Sequence, residues 1–316
     1  MATYLVTGGA GFIGSHIVEA LVRRGERVRV VDSLITGHRD NLDHVSPVEF
    51  LLADLADAGV AREAVSGVDY VLHLAAIPSV PRSVAEPVLC HRANVDATLN
   101  VLVAARDAGV KRVVFAGSSA VFGDEPGLPK REDMPTNPQT PYALHKLVGE
   151  QYGKLFWSLY GLETVTTRYF NVYGPRQDPS SPYSGVISVF VRALLDGRAP
   201  TIYGDGGQTR DFTYVTNVVD GVLRACLAPA AAGQVIHVAT GTRVSLNELL
   251  ATLQHLMRAA IAPRHADARV GDIRHSVADI TRAAELLGYA PSVGLEEGLR
   301  LTIEWFRTAG TSSPQP

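Results

Sequence analysis

Tyr142 and Lys146 stand one helical turn apart in the run Pro141-Tyr142-Ala143-Leu144-His145-Lys146. Proline suits the first position of a helix, and a separation of four puts both side chains on one face. A free phenol titrates near ~10, so acting as a base near neutral pH requires a fall of about 3 units, roughly 4 kcal/mol of electrostatic help. A lysine cation one turn away can supply part of it. By itself the spacing is a common accident of solvated helix faces. Its weight comes from following the fifth strand of a nucleotide-binding pattern. Ser118 and Ser119 follow that strand, where ligands of open α/β sheets collect. A hydroxyl there can hand a proton between a substrate and Tyr142. Both also read as plain turn serines.

A second motif says what else lies beside the pair. Leu5-Val6-Thr7-Gly8-Gly9-Ala10-Gly11-Phe12-Ile13-Gly14 leaves a strand and opens a helix. Gly8, Gly11 and Gly14 allow a tight turn, close backbone approach to a pyrophosphate, and close helix–sheet packing. The helix N-terminus adds free N–H groups and a favourable dipole. Asp32 ends the second predicted strand, where a carboxylate accepts ribose hydroxyls and repels a 2′-phosphate, so the expected cofactor is NAD rather than NADP. Its positive nicotinamide ring would further favour a Tyr142 phenolate. Asp54, just past the third strand, reads equally as a contact to the adenine amino group or as the N-cap of the next helix.

The elements that must position these groups alternate. Tyr4–Thr7, Arg27–Val31, Val48–Leu52, Tyr70–Leu74 and Arg112–Ala116 read as short strands, mostly continuous in apolar character, as expected where both sheet faces are covered. Helical patterns fall at Gly11–Arg24, Val60–Val65 and Val88–Ala108, a long helix follows Pro141, and a strand is predicted at Thr164–Arg168. This rhythm predicts an α/β fold: a Rossmann-type, doubly wound parallel sheet over residues 1–170. After Asn171 the texture changes. Gly174–Pro182 reads as a loop, followed by a helix at Val186–Asp196, a strand at Thr201–Tyr203, and helices from Val218 and Ser245, the last with a capping box to Glu248. A smaller α/β substrate-binding lobe is expected over 171–310, with parts of 205–245 returning to the sheet. A frayed tail is expected from Thr308, with 311–316 outside both units.

Composition excludes several classes. With 46 % hydrophobic and 19 % charged residues, the 316-residue chain reads as globular. A net charge of −3 argues against a nucleic-acid partner. Cys90 and Cys226, far apart, give neither a disulfide framework nor a metal site. No apolar run reaches the ~18 residues of a membrane span, and an apolar strand three residues in leaves no room for a signal peptide. A cytoplasmic protein is expected.

The chain resembles the extended short-chain dehydrogenase/reductase family and, within it, the nucleotide-sugar 4-epimerases. The resemblance is carried by Thr7–His16, His73-Leu74-Ala75-Ala76, Ser118–Gly123, Pro141-Tyr142-Ala143 with Lys146, Arg168–Pro175, Gln208–Phe212 and Gly271–Ser276. It covers nearly the whole chain.

The resemblance implies where ligands sit. NAD would touch Gly8, Gly11, Phe12, Ile13, Gly14, Asp32, Ser33, Thr36, Gly37, Asp54, Leu55, Leu74, Ala75, Ala76, Tyr142, Lys146 and Tyr169. Asn171, Arg210 and Arg269 would grip the diphosphate of a UDP-sugar. Asp272 would bind the uridine ribose, and Thr201 and Tyr203 the uracil edge. The sugar would meet Pro78, Ser79, Val80, Ser118, Ser119, Tyr142, Asn171, Gly185, Val186, Ile187 and Ser276. Without the resemblance, Arg210 and Arg269 read equally as surface ion pairs. The resemblance also narrows the reaction. Related 4,6-dehydratases carry an Asp-Glu pair after the serine or threonine, and decarboxylating relatives a Glu. Here Ser119 and Ala120 leave elimination without its acid and base. A tyrosine at the Ser276 position marks members limited to plain hexoses, and a small residue admits a 2-acetamido group.

The expected activity is therefore NAD-dependent C4 epimerisation of UDP-N-acetylglucosamine, and of UDP-glucose as a second substrate, through a 4-keto sugar. The alternatives are a uronic acid substrate, for which Arg82 or Arg176 would have to serve, a dehydratase or reductase, and a non-enzymatic NAD sensor. Phe122 replaces a usual tyrosine, and Asn217 a frequent Asp. In this family the helices at Val88–Ala108 and Tyr142–Tyr160 pair as a four-helix bundle, so a homodimer is expected. A wholly buried helix face is the other reading.

Overall fold

The computed structural model describes residues 1–178, 185–268 and 273–309. β1 (Thr3–Thr7) leads into α1 (Phe12–Arg23) and returns as β2 (Arg27–Asp32). Next come β3 (Glu49–Leu52), α2 (Ala58–Val65) and β4 (Tyr70–His73), then α3 (Val80–Ala85), α4 (Pro87–His91) and α5 (Ala97–Asp107). β5 (Arg112–Ser118), α6 (Pro141–Tyr160) and β6 (Glu163–Tyr169) complete the first half. The second half holds β7 (Asn171–Tyr173), α7 (Val186–Leu195), β8 (Thr201–Tyr203), β9 (Thr209–Arg210), β10 (Phe212–Tyr214) and α8 (Val215–Leu227). It continues through β11 (Val235–Val238), β12 (Val244–Ser245), α9 (Leu246–Met257), β13 (Arg264–Ala266), α10 (Thr281–Leu287) and α11 (Leu295–Ala309).

Seven strands form one parallel sheet in the order β11-β6-β5-β4-β1-β2-β3. Leu5, Val71, Leu72, Val113 and Val114 are all buried, because helices cover both faces. α1 and α8 pack on one face, and α2, α5 and α6 on the other. The strand order reverses between β1 and β4, which opens a crevice at the carboxyl ends of the strands. A third core joins Ile187, Phe190, Leu249, Leu299 and Phe306 beneath Tyr173 and Tyr214. The remaining strands form three short pairs, β7–β10, β9–β12 and β8–β13.

Several boundaries differ from the sequence reading, each for a local reason. The helix predicted over Val88–Ala108 is broken by a π-helical turn at Arg92–Asp96. That turn buries Asn94, which accepts from Ile77 N at 2.7 Å and donates to Ile77 O at 3.3 Å. The helix expected at Val60 starts at Ala58, because Asp57 caps it, accepting from Gly59 N at 2.6 Å and from Val60 N. Asp54 is therefore not the N-cap; its Oδ1 takes Ala56 N at 2.9 Å in a turn of its own. β5 runs two residues past Ala116 because its pairing with β6 continues to Ser118↔Tyr169, so Ser118 ends the strand rather than following it. The helix expected from Val218 begins at Val215, and α11 carries Thr308 in its last turn. The Ser245–Glu248 capping box is formed. Residues 179–182 of the predicted loop and the tail 311–316 lie outside the described residues.

Candidate active site

The β1–α1 turn is built to let something approach its backbone. Gly8 has φ +68, and a Cβ on it would lie 2.8 Å from Ala75 N. A Cβ on Gly14 would lie 2.2 Å from Gly8 O, so helix and strand touch backbone to backbone there. Gly11 caps α1 without a side chain and no acid stands in the first turn, which leaves the helix N-terminus open to an anion. Asp32 is buried; its two carboxylate oxygens accept from Ala10 N at 2.9 Å and Leu34 N at 2.8 Å. Each oxygen keeps a lone pair for a further donor. A Cβ on Gly37 would come within 2.9 Å of both oxygens. Ser33 and Thr36 lie exposed on the same loop, and Leu55 is buried beside α2.

The floor of the crevice is fixed by a chain of side chains. Thr7 Oγ1 lies 2.7 Å from His73 Nδ1, and His73 Nε2 lies 3.0 Å from Thr98 Oγ1. Full burial pushes the His73 pKa down to about 3, so the ring is neutral. Leu74 and Ala75 donate their amides to Thr7, and Ala76 continues this turn.

Tyr142, Lys146 and Ser118 converge at the ends of β5 and α6. Thr140 caps α6, and Tyr142 N donates to Ser83 Oγ at 3.1 Å, which ties the helix start to α3. Ser118 Oγ accepts from Ala120 N at 3.2 Å and shares a hydrogen bond with the Tyr142 hydroxyl. It is thus both the turn serine and the tyrosine's partner. The Lys146 ammonium lies 6.0 Å from the Tyr142 ring centroid and donates to Ala116 O at 2.8 Å. Burial pushes the Lys146 pKa down to about 8. Burial also raises the Tyr142 pKa, and the Ser118 hydrogen bond opposes that rise. In the chain alone the phenol is therefore held protonated, and the lysine spends a donor on backbone. Tyr169, beside Ser118 across the sheet, is buried with its hydroxyl accepting from Thr167 Oγ1 at 3.0 Å.

A cavity of about 300 Å³ opens next to the trio, lined by Ser118, Ser119, Ala120, Phe122, Gly123, Lys130, Phe170, Asn171, Arg210, Ile273 and Ser276. Among these described residues there is no carboxylate. Its far wall is pinned by the buried Asp211, which accepts from Thr240 N (3.0 Å), Thr240 Oγ1 (2.6 Å), Gly241 N (2.9 Å), Ala278 N (3.2 Å) and Thr213 Oγ1 (3.4 Å). Burial pushes the Asp211 carboxyl pKa up, against the hydrogen bonds from Thr240, Ala278 and Gly241. Asn171 N donates to Asp211 O, and Ser276 N to Thr209 O. Arg210 Nη1 donates to Thr209 O at 2.9 Å.

Other sequence candidates lie elsewhere. Pro78 is exposed on the loop into α3, Val80 is exposed at the first position of that helix, and Ser79 is buried with its hydroxyl capping it. Gly185 caps α7, Val186 follows half-buried, and the Ile187 side chain is wholly inside the third core. Thr201 and Tyr203 form β8 against β13, outside the cavity. Arg269 and Asp272 lie outside the described residues. Arg82 is paired with Glu86, and Arg176 with Glu19. Asn217 is buried and holds the segment before α11, donating to Val293 O and accepting from Ser292 N and Val293 N. Sequence reasoning did not place Lys130, Phe122 and Phe170 in the cavity wall, although Phe122 and Phe170 lie within motifs that carry the resemblance and the run Leu128-Pro129-Lys130 looks like the UDP-N-acetylglucosamine 4-epimerase branch; their shared wall forms only in the folded chain. Among the described residues no helix is long and apolar enough to cross a membrane, and no cluster could hold a metal ion.

Residues 4–239 match the family described as NAD dependent epimerase/dehydratase. The chain is 43 % identical over 310 residues to a UDP-glucose 4-epimerase of Mycolicibacterium smegmatis, covering 96 % of this chain and 98 % of that one. Among solved structures it resembles a UDP-N-acetylglucosamine 4-epimerase from Methanobrevibacter ruminantium in complex with UDP-N-acetylmuramic acid, with TM-score 0.94, 40 % identity and coverage of 98 % and 99 %. It also resembles a Thermus thermophilus UDP-glucose 4-epimerase in complex with NAD, with TM-score 0.88, 38 % identity and coverage of 97 % and 99 %.

Proposed function

The chain belongs to the NAD-dependent epimerase/dehydratase family, and we propose that it is a UDP-sugar 4-epimerase acting on UDP-N-acetylglucosamine and its galacto epimer, with UDP-glucose as a second substrate. One observation carries this choice. The cavity beside Tyr142 and Ser118 has no carboxylate among its described residues, and Ser276 leaves its far wall small. Elimination would need an acid and a base there; epimerisation needs only a reversible base and room to turn.

The glycine cradle, the open N-terminus of α1 and the Asp32 carboxylate fit NAD: two backbone-tight glycines, an anion site and a hydroxyl acceptor in one crevice. Bound NAD supplies a hydride acceptor that gives back what it takes, so no outside oxidant is needed. Asn171 and Arg210 hold the diphosphate, with Arg269 and Asp272 as further contacts by the family pattern. Tyr142 takes the C4 hydroxyl proton, directly or through Ser118. The Lys146 ammonium and the positive nicotinamide ring together oppose the burial that raises the phenol's pKa. The 4-keto sugar turns within the cavity about its bond to the clamped diphosphate. Tyr142 then returns the proton to the C4 oxygen of the epimer.

A uronic acid substrate is disfavoured, because Arg82 and Arg176 are committed to Glu86 and Glu19. The proposal includes a homodimer through α4 and α6, supported by exposed Val88, Leu144 and Leu155 on those helices. The direct test is incubation of the NAD-loaded enzyme with UDP-N-acetylglucosamine. Appearance of the galacto epimer with no net change in NADH absorbance is expected; release of a stable 4-keto-6-deoxy product would overturn the reading.

A further inference from the structure

One cation in the cavity wall has no part in the chemistry above. Lys130 is 3 % exposed, and its ammonium donates to the backbone carbonyl of Glu125. Among the described residues no carboxylate comes within ion-pair distance of it. A buried ammonium has three donors and strongly favours acceptors for each. Here a backbone carbonyl takes one, and the Phe122 ring, 5.7 Å away, lies alongside.

Its mounting is as informative as its charge. Lys130 N donates to Val277 O at 2.8 Å and Asp279 N to Lys130 O at 2.7 Å, so Lys130 bridges to Ala278. Ser276 lies just before that bridge, and Ala278 N is one of the donors held by Asp211. Lys130 and Ser276 are thus fixed to one hydrogen-bonded wall, and both line the same cavity.

We propose that Lys130 is the specificity-determining residue for the 2-acetamido group, its ammonium donating a charge-assisted hydrogen bond to the acetamido carbonyl oxygen in the space that Ser276 leaves. This rests on the reading of the site as a UDP-N-acetylglucosamine epimerase. It adds a positive determinant to what Ser276 offers only as room. UDP-glucose, with a hydroxyl at C2, gains nothing comparable from the lysine.

The test compares binding of UDP-N-acetylglucosamine, UDP-glucose and UDP-glucuronate to NAD-loaded wild type, K130M and K130R by calorimetry, with epimerase rates alongside. The expected result is a loss of about ten- to a hundredfold in K130M affinity for the acetylated sugar, the weight of a charge-assisted hydrogen bond. UDP-glucose affinity should stay within about twofold, and K130R should recover part of the loss. Equal losses on both sugars would overturn the proposal and make Lys130 a brace for the Glu125–Lys130 loop. A loss confined to UDP-glucuronate would overturn it in favour of a carboxylate reader. A wild type with no preference for the acetylated sugar would overturn the substrate reading itself, and this proposal with it. A wild-type preference that survives in K130M would sink the lysine's role alone.

Discussion

The two ends of the crevice are specified in different ways. At the β1–α1 turn the shape is made by what is missing: glycines at 8 and 14, where a single carbon would strike backbone at 2.8 and 2.2 Å. At the far wall the shape is made by what is present. The Asp211 carboxylate gathers residues 240, 241 and 278, and Lys130 is bolted to 277–279. A shape made by omission is local and survives changes elsewhere. A shape made by a hub fails wherever one spoke fails.

That contrast can be broken or sharpened by substitution. The largest effect belongs to neither end but to the group between them. Tyr142→Phe should lose about 10² to 10⁴ in kcat with NAD content unchanged, measured by epimer formation and by bound-cofactor absorbance. Near-full turnover would remove the base assignment. Asp211→Asn comes next. An amide facing five donors leaves some unpaired and should cost about 2–4 kcal/mol in urea unfolding. It should weaken UDP-sugar binding while leaving NAD affinity alone. A matching loss of NAD affinity would show that the two ends are not independent. Gly14→Ala is the mirror experiment, costing about 1–3 kcal/mol by overpacking and falling mainly on NAD retention. The smallest effect is a pH limb. Burial pushes Lys146 down to about 8, so its cation is present below that pH and lost above it. kcat/KM should therefore fall as pH rises through about 8. In Lys146→Arg, whose guanidinium does not titrate in this range, that falling limb should vanish, whatever the absolute rate.

The same contrast explains what the sequence could reveal. The glycine turn, Asp32 and the Tyr142–Lys146 pair sit within short windows, where spacing maps directly onto geometry. Six of the seven sheet strands were legible, most of them from short, largely apolar runs; β11 was not predicted as a strand. The place of Lys130 in the wall was not legible, because its partners at 277–279 are fixed only when the chain closes on itself. Asp54 and Asp57 both precede α2, and only the actual amide geometry chose Asp57 as the cap. Within the helix predicted over Val88–Ala108, the π-helical turn that aims Asn94 at Ile77 leaves no trace in hydrophobic periodicity.

The position of β11 has a consequence for how the molecule is made. It completes the sheet against β6, yet it is synthesised only after the whole run from β7 to α8. Until it emerges, β6 is an unpaired edge whose residues are buried only in the finished fold, a template for wrong pairing between nascent chains. The cavity wall waits longer still, for residues 276–278. A chain stalled before β11 should therefore carry the crevice and its base but neither a complete sheet nor a pocket, and it is at that stage that assistance from chaperones would matter most.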